Sequence, residues 1–280
     1  MSRASFTFVP APELDGHPGD PLKDLLDLEE VETDLYRSRL LFTDHYALYG
    51  GQVAAQALRA AGLTVPPDRL PHSLHSYFLR PGDASRPTVF QVHRDRDGRS
   101  YSARRVVAVQ DGKAIFTLSA SFHAAQEGPD EQVTKARPFP SPEECAPFTL
   151  PRLFSMEGRS SGVRRPHEIV PMRFWARSTA SSAEDGQLMQ ACVLTYLSDI
   201  SSGLHAIEDD DARASASLDH AVWFHRPVRM DDWTLTEVVP HSAAGGRGWY
   251  TGSVFDTSGR LVASFAQEAL FRHVRRGSPT

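Results

Sequence analysis

The sequence predicts an α+β protein made of two like halves, each a sheet curled around one helix. Three observations carry that reading. A helical segment followed by a run of strands occurs twice, blocks of the two runs match at a nearly constant offset, and the first helix is too apolar to lie on a surface.

Residues 1–22 mix Pro, Gly and acids and read as a mobile N-terminal arm, with no apolar stretch of signal-peptide kind. Leu25, Leu26, Leu28, Val31 and Leu35 then suggest a short helix and a strand. In LYGGQVAAQALRAAG (48–62), Val53, Ala54, Ala57, Leu58 and Ala61 recur at helical spacing, and Gly62 is the expected stop. Arg59 is its only charge, so this helix is expected to be buried. Strands are expected at 73–80, 88–94, 100–110 and 113–123, which are rich in Val, Phe, Tyr and Thr. Asp97-Gly98 and Asp111-Gly112 mark hairpin turns. These elements make a first half at 23–125.

Beyond residue 123 the chain turns rich in Pro and charge, and 126–165 is expected to be a linker. A second half spans 166–274. It carries a strand at 172–175, a helix at 187–199 and strands at 217–226, 233–239, 247–256 and 260–272. Ser258-Gly259 joins the last two.

The chain of 280 residues is 40% hydrophobic and 23% charged, with a formal net charge of -5. That balance gives nonspecific nucleic-acid binding no electrostatic support. Cys145 and Cys192 are too few for a disulfide framework or a four-Cys zinc site, and a reducing cytoplasm is the expected location. Neither a metal nor another cofactor is expected. No apolar run approaches the roughly 20 residues of a membrane-spanning helix.

The two halves match in detail. Tyr77-Phe78-Leu79-Arg80-Pro81 corresponds to Trp223-Phe224-His225-Arg226-Pro227, an offset of 146 between Arg80 and Arg226. Gly112 and Gly259 lie 147 apart in matching turns, and Tyr101 and Tyr250 lie 149 apart. An offset of 147 carries Gln52 onto Asp199 and Ala120 onto Gln267. The second half thus holds an acid and an amide where the first holds an amide and a methyl. That asymmetry points to chemistry in the second half.

Five blocks, LYGGQVAAQAL (48–58), HSLHSYFLRPGD (72–83), DGRSYSARRVVAVQDGKAIF (97–116), ASLDHAVWFHRP (216–227) and GRLVASFAQE (259–268), resemble the acyl-CoA thioesterase II family of TesB-like enzymes. The resemblance implies a double-hotdog fold, two antiparallel sheets each wrapped around a central helix and joined into one continuous sheet. It implies acyl-CoA as substrate, and an Asp, a Ser or Thr and a Gln that activate a water. These fall on Asp199 in YLSD, Ser217 in ASLDH and Gln267 in AQE. Residues 155–190 are shorter than the family's usual segment and unlike it. Hotdog sheets often pair edge to edge, so a homo-oligomer is expected.

The three residue types suit the chemistry. A carboxylate can take a proton from water, and burial would raise its pKa. A hydroxyl and an amide can both donate and accept, and so can orient the water. Gly50 and Gly51, with Gln52 beside them, are candidates for binding the substrate carbonyl through backbone N–H groups. Arg80, Arg104 and Arg105 are candidates for the phosphates of CoA.

Other signals are set aside. Gly158-Arg159-Ser160-Ser161-Gly162 fits a nucleophile-elbow pattern but lies in the expected linker. His72 and His75 are spaced for opposite faces of a strand, as are His220 and His225, which argues against a metal site. The run 208–211 is expected to be a solvated loop. An enoyl-CoA hydratase would show an Asp followed five residues later by His, with Asn-Pro between; here His205 is six residues beyond Asp199. A noncatalytic acyl-CoA-binding protein on the same scaffold would have lost the acid, hydroxyl or amide.

Overall fold

The computed structural model describes residues 14, 17–162, 170–200, 203–204, 207–208 and 212–273. Most of the expected arm, His205 and most of the run 208–211 lie outside the described residues. Helix α1 (Pro21–Leu26) starts inside the expected arm. Its N-cap Asp20 accepts from the backbone N–H of Leu22 and Lys23, and Pro21 presets the first turn. The helix buries Leu22, Leu25 and Leu26, which holds it to the body of the protein. Strands β1 (Leu28–Glu32) and β2 (Leu35–Ser38) follow as a hairpin.

Helix α2 (Gly50–Leu63) matches the expected helix closely. Ala54, Ala55, Ala57, Ala60 and Ala61 are fully buried, and their small side chains let other elements approach. The helix lies against β3 (Arg69–Phe78), β4 (Val89–Asp97), β5 (Tyr101–Gln110) and β6 (Lys113–Ala124). It also packs on α3 (Gln187–Ser198), antiparallel to it. Two glycines set that contact. A Cβ on Gly51 would come 2.4 Å from the Tyr196 carbonyl oxygen, and one on Gly62 would come 2.3 Å from the Leu188 side chain. The start of α2 is thereby pinned to the end of α3.

The remaining strands are β7 (Ala146–Phe148), β8 (Met156–Ser160), β9 (Arg173–Ser178), β10 (Ala212–Ser217), β11 (Asp219–Phe224), β12 (Thr234–Ala244), β13 (Arg247–Phe255) and β14 (Leu261–His273). All fourteen strands form one antiparallel sheet in the order β1-β2-β4-β5-β6-β3-β11-β14-β13-β12-β9-β8-β7, with β10 also paired to β14. The sheet is open, with β1 and β7 at its edges. The halves meet at β3 and β11, where Ser76 faces His220 and Leu74 faces Val222. Alternating burial along β5 shows one face turned to the core and the other to solvent.

Two local differences from the sequence expectation follow from tertiary contacts. Residues expected as linker form β7 and β8, which extend the sheet beyond β9. Phe148 packs edge-on against Phe174 at 5.7 Å, and the Trp175 indole N–H donates to the Pro140 carbonyl at 2.8 Å. The strand expected at 217–226 is two strands, broken at Leu218, whose N–H donates to Glu268 and whose carbonyl accepts from Phe78. The break re-aims Ser217.

Candidate active site

Helix α3 ends at Asp199, its C-cap residue, one position short of the expected helix end. The close packing of α3 on α2 carries the Asp199 carboxylate to the first turn of α2. A Cβ on Gly50 would lie 2.3 Å from Asp199 Oδ2 and 2.8 Å from the Phe78 ring, so only glycine leaves room for the carboxylate. The Gly51 backbone N–H hydrogen-bonds the carboxylate. The positive end of the α2 dipole therefore meets the acid.

Strands β10 and β14 supply the other partners. Ser217 Oγ donates to Asp199 Oδ1 at 3.1 Å, and Gln267 Nε2 donates to the same oxygen at 2.7 Å. Gln267 Nε2 also donates to Ser217 Oγ at 2.5 Å. The three side chains expected at the site thus form one hydrogen-bonded cluster, although 18 and 68 residues separate Ser217 and Gln267 from Asp199.

Burial is the largest influence on Asp199 and pushes its pKa above the ordinary carboxylate value. The nearby His220 and the donors on Gln267, Ser217 and Gly51 oppose that push. Tyr49 and Tyr250, both buried, have pKa values raised well above normal by burial and then by the Asp199 charge. Tyr49 donates to the Tyr196 carbonyl at 2.8 Å and packs edge-on against the Tyr196 ring at 5.4 Å, closing the α2–α3 corner. An acid so placed is a stronger base than a solvated one, and has donors ready to steady its charge.

The other expected residues divide. Gly50 and Gly51 are at the cluster, but Gly51 N–H serves Asp199. Gln52 is buried in the same turn of α2 and shares no hydrogen bond with Asp199, Ser217 or Gln267 among the described residues. Arg80 is exposed beyond Phe78, where it donates to the Ala114 carbonyl at 2.6 Å. With Arg86 and Lys113 it lines a cavity of about 210 Å³. Arg105 projects from the solvent face of β5 and pairs with Asp95 at 3.4 Å, away from the cluster.

Arg104 requires a correction. It is 1% exposed and its donors go to Thr64 Oγ1, Thr64 O, Arg96 O, Ala103 O and Asp97 Oδ1. A guanidinium has five N–H bonds, and these five acceptors use them all. Arg104 ties the end of α2 to the β4–β5 hairpin and has nothing left for a phosphate. Ser160 of the elbow-like pattern lies in β8 and donates to the Arg173 carbonyl at 3.0 Å.

His220 was not among the expected residues. It is fully buried, contacts Ser198 and lies beside Asp199 and Gln267. A signal was present: an offset of 146 aligns it with Leu74, so a polar side chain replaces an apolar one in a core strand.

The family pattern described as acyl-CoA thioesterase N-terminal domain matches residues 42–123, and that of the acyl-CoA thioesterase C-terminal domain matches residues 124–271. Acyl-coenzyme A thioesterase 8 of Homo sapiens is 34% identical, with 92% of this chain and 93% of that protein covered. Acyl-CoA thioesterase 2 of Haemophilus influenzae is 32% identical over 89% of this chain and 96% of its own. The crystal structure of acyl-CoA thioesterase II TesB2 from Mycobacterium marinum superposes with a TM-score of 0.74 at 37% identity, covering 92% of this chain and 99% of the other. Two matched domain patterns in tandem and relatives that align over nearly the whole length lead to one conclusion: the chain belongs to the acyl-CoA thioesterase family, with the hotdog-type fold of its TesB-like members.

Proposed function

We infer that this protein hydrolyses fatty acyl-CoA to free fatty acid and CoA, with Asp199 as the base that activates water and Ser217 and Gln267 as the groups that orient it. The observation that carries the reading is the Asp199 carboxylate at the start of α2, bonded to both partners. The water oxygen bonds to the thioester carbonyl carbon while Asp199 takes its proton. The carbon–sulfur bond then breaks, and that proton passes to the departing sulfur. No covalent acyl-enzyme is formed. The first turn of α2 faces the same space, and its N–H dipoles favour negative charge developing on the carbonyl oxygen.

Arg80, with Arg86 and Lys113 around the neighbouring cavity, suits the phosphates of CoA. It lies two residues beyond Phe78, whose ring touches the Gly50 position next to Asp199. The fold reading that accompanies this function has hotdog halves at 23–125 and 166–274, joined through 126–165, with the sheet curling around α2 and α3. The packing of α2 on β3 to β6 supports it. A cytoplasmic role in lipid metabolism fits a protein whose described helices include none long and apolar enough to cross a membrane.

The test is thiol release from acyl-CoAs of several chain lengths. Wild-type protein should release CoA thiol, and folded Asp199→Asn should not. Acyl-CoA binding without turnover by the wild type would overturn the reading.

A further inference from the structure

The row of core-facing residues beneath Asp199 is polar across four strands. Ser76 faces His220 in the β3–β11 pairing, and Tyr250 faces Gln267 in the β13–β14 pairing. Ala221 faces Ala266 in the β11–β14 pairing, and one further step in that register sets His220 opposite Gln267. Ser76, His220, Gln267 and Tyr250 are 3%, 0%, 2% and 0% exposed, so no bulk water serves this row.

Two atoms in it lack partners. His220 Nδ1 and Gln267 Oε1 are both buried and without a hydrogen bond, although their side chains are near enough for Gln267 to favour a proton on His220. A buried polar atom left unpaired loses its bonds to water without replacement, so two such atoms on facing residues have a strong reason to pair. The repeat supplies an independent observation. The positions equivalent to His220 and Gln267 in the first half are Leu74 and Ala120, which face each other in the β3–β6 pairing. An apolar pair in one half has become a polar pair in the half that holds the acid.

We infer that His220 is a positioning residue: its Nδ1–H donates to Gln267 Oε1 and thereby fixes which end of the Gln267 amide faces Asp199 and Ser217. The amide has two orientations. With Oε1 held by His220, Nε2 points at the carboxylate, 2.7 Å from Asp199 Oδ1. Flipped, the amide would set Oε1 against that carboxylate and remove a donor from it. The histidine is itself fixed from the other side, since its Nε2 lies 2.7 Å from Ser198 Oγ, one residue before Asp199. Burial lowers the His220 pKa, which favours the neutral ring with a single proton. With that proton on Nδ1, Nε2 accepts from the Ser198 hydroxyl, which then gives up its alternative bond to the Thr195 carbonyl. His220 touches neither substrate nor water; it acts through Gln267.

This inference rests on the water-activation reading, and two measurements keep the two apart. The first uses turnover. Leu74 shows that leucine packs at this place in the fold, so His220→Leu should fold, with a melting temperature to verify it. Its kcat should fall about tenfold or more, the scale of one lost orienting hydrogen bond, with KM little changed. The acid limb of its pH–rate profile should move upward, because Asp199 loses a donor to its charged form. Asp199 is faced by Tyr49 from the N-cap of α2, Tyr250 from β13 and His220 from β11, with Asp219 acting on His220 and Tyr250; none but His220 is altered. His220→Asn, whose amide can donate from nearly the Nδ1 position, should recover most of kcat and return the limb. A His220→Leu enzyme with kcat within twofold of wild type and an unmoved limb would overturn the inference, as would a His220→Asn enzyme as impaired as His220→Leu.

The second measurement needs no turnover. Nitrogen NMR of histidine-labelled wild type should show His220 protonated at Nδ1 and bare at Nε2. The opposite tautomer would sink the positioning role while leaving the hydrolase reading intact. A wild type that shows the Nδ1 tautomer but releases no thiol would remove the function and keep the contact.

Discussion

At Asp199 the structure sets burial against three hydrogen-bond donors and the nearby His220, and burial is the largest influence. A raised pKa has opposite consequences for activity and stability. Activity needs the ionised form, so kcat/KM should fall on the acid side with an apparent pKa above the ordinary carboxylate value. Stability follows the linkage rule. Between the unfolded pKa, near 3.8, and the raised folded value, the unfolded state gives up its proton first. Stability contributed by this group is therefore full below the unfolded pKa and is lost as pH rises through the folded one. Asp199→Asn should abolish thiol release, by about 100-fold or more as expected for a lost general base. It should also melt at or above the wild-type temperature at neutral pH, with the gap closing near pH 3 to 4. A variant that melts well below wild type would show that the carboxylate holds the fold together rather than straining it.

The same scale separates the two adjacent arginines. Alternation along β5 sends Arg104 inward and Arg105 outward. Arg104→Ala removes one side chain that satisfies acceptors on α2 and the β4–β5 hairpin, and should cost about 2–4 kcal/mol in urea unfolding. Its KM for acyl-CoA should stay near wild type. A raised KM with unchanged stability would restore the phosphate-binding role the structure denies it. The sequence shows that two arginines are adjacent and that a strand alternates; which one faces the core is decided by the packing of α2.

Elements are positioned here by glycines at close approaches. Gly50→Ala places a Cβ into the space of Asp199 Oδ2 and the Phe78 ring. The carboxylate must then leave the start of α2. Thiol release should drop at least about tenfold with only a modest loss of stability, because alanine favours the helix. Gly158 in β8 behaves differently: a Cβ there would come 2.8 Å from the Phe148 ring on β7, near the sheet edge remote from β14. Gly158→Ala should lower stability by about 1–3 kcal/mol through overpacking and leave kcat near wild type. Chemical denaturation and steady-state kinetics on the pair tell a positional glycine from a packing one. Helix α2 was legible because its apolar spacing is long and regular. The strands β7 and β8 were not, since each is short, lies in a Pro-rich stretch and is held by the edge of β9 rather than by its own pattern.

Across the whole molecule, the β3–β11 seam and the α2–α3 contact make one core of the two halves. Unfolding followed by far-ultraviolet dichroism and by tryptophan emission should therefore give coincident transitions; two separated steps would mean that the halves are independent. Tyr77, Trp223 and Trp249 are exposed on the sheet, and light scattering of the purified protein tests whether the chain self-associates.

The sequence by itself determined the duplicated helix-and-strand order and the family, and singled out Asp199, Ser217 and Gln267 as candidates, because repeats and motifs are local patterns that survive in one dimension. Tertiary structure alone decided that the acid meets the N-terminus of α2, that Arg104 is spent internally, and that His220 faces the Gln267 amide. Each depends on which face of a strand is buried and how closely two helices approach, and packing across residues distant in the chain sets both.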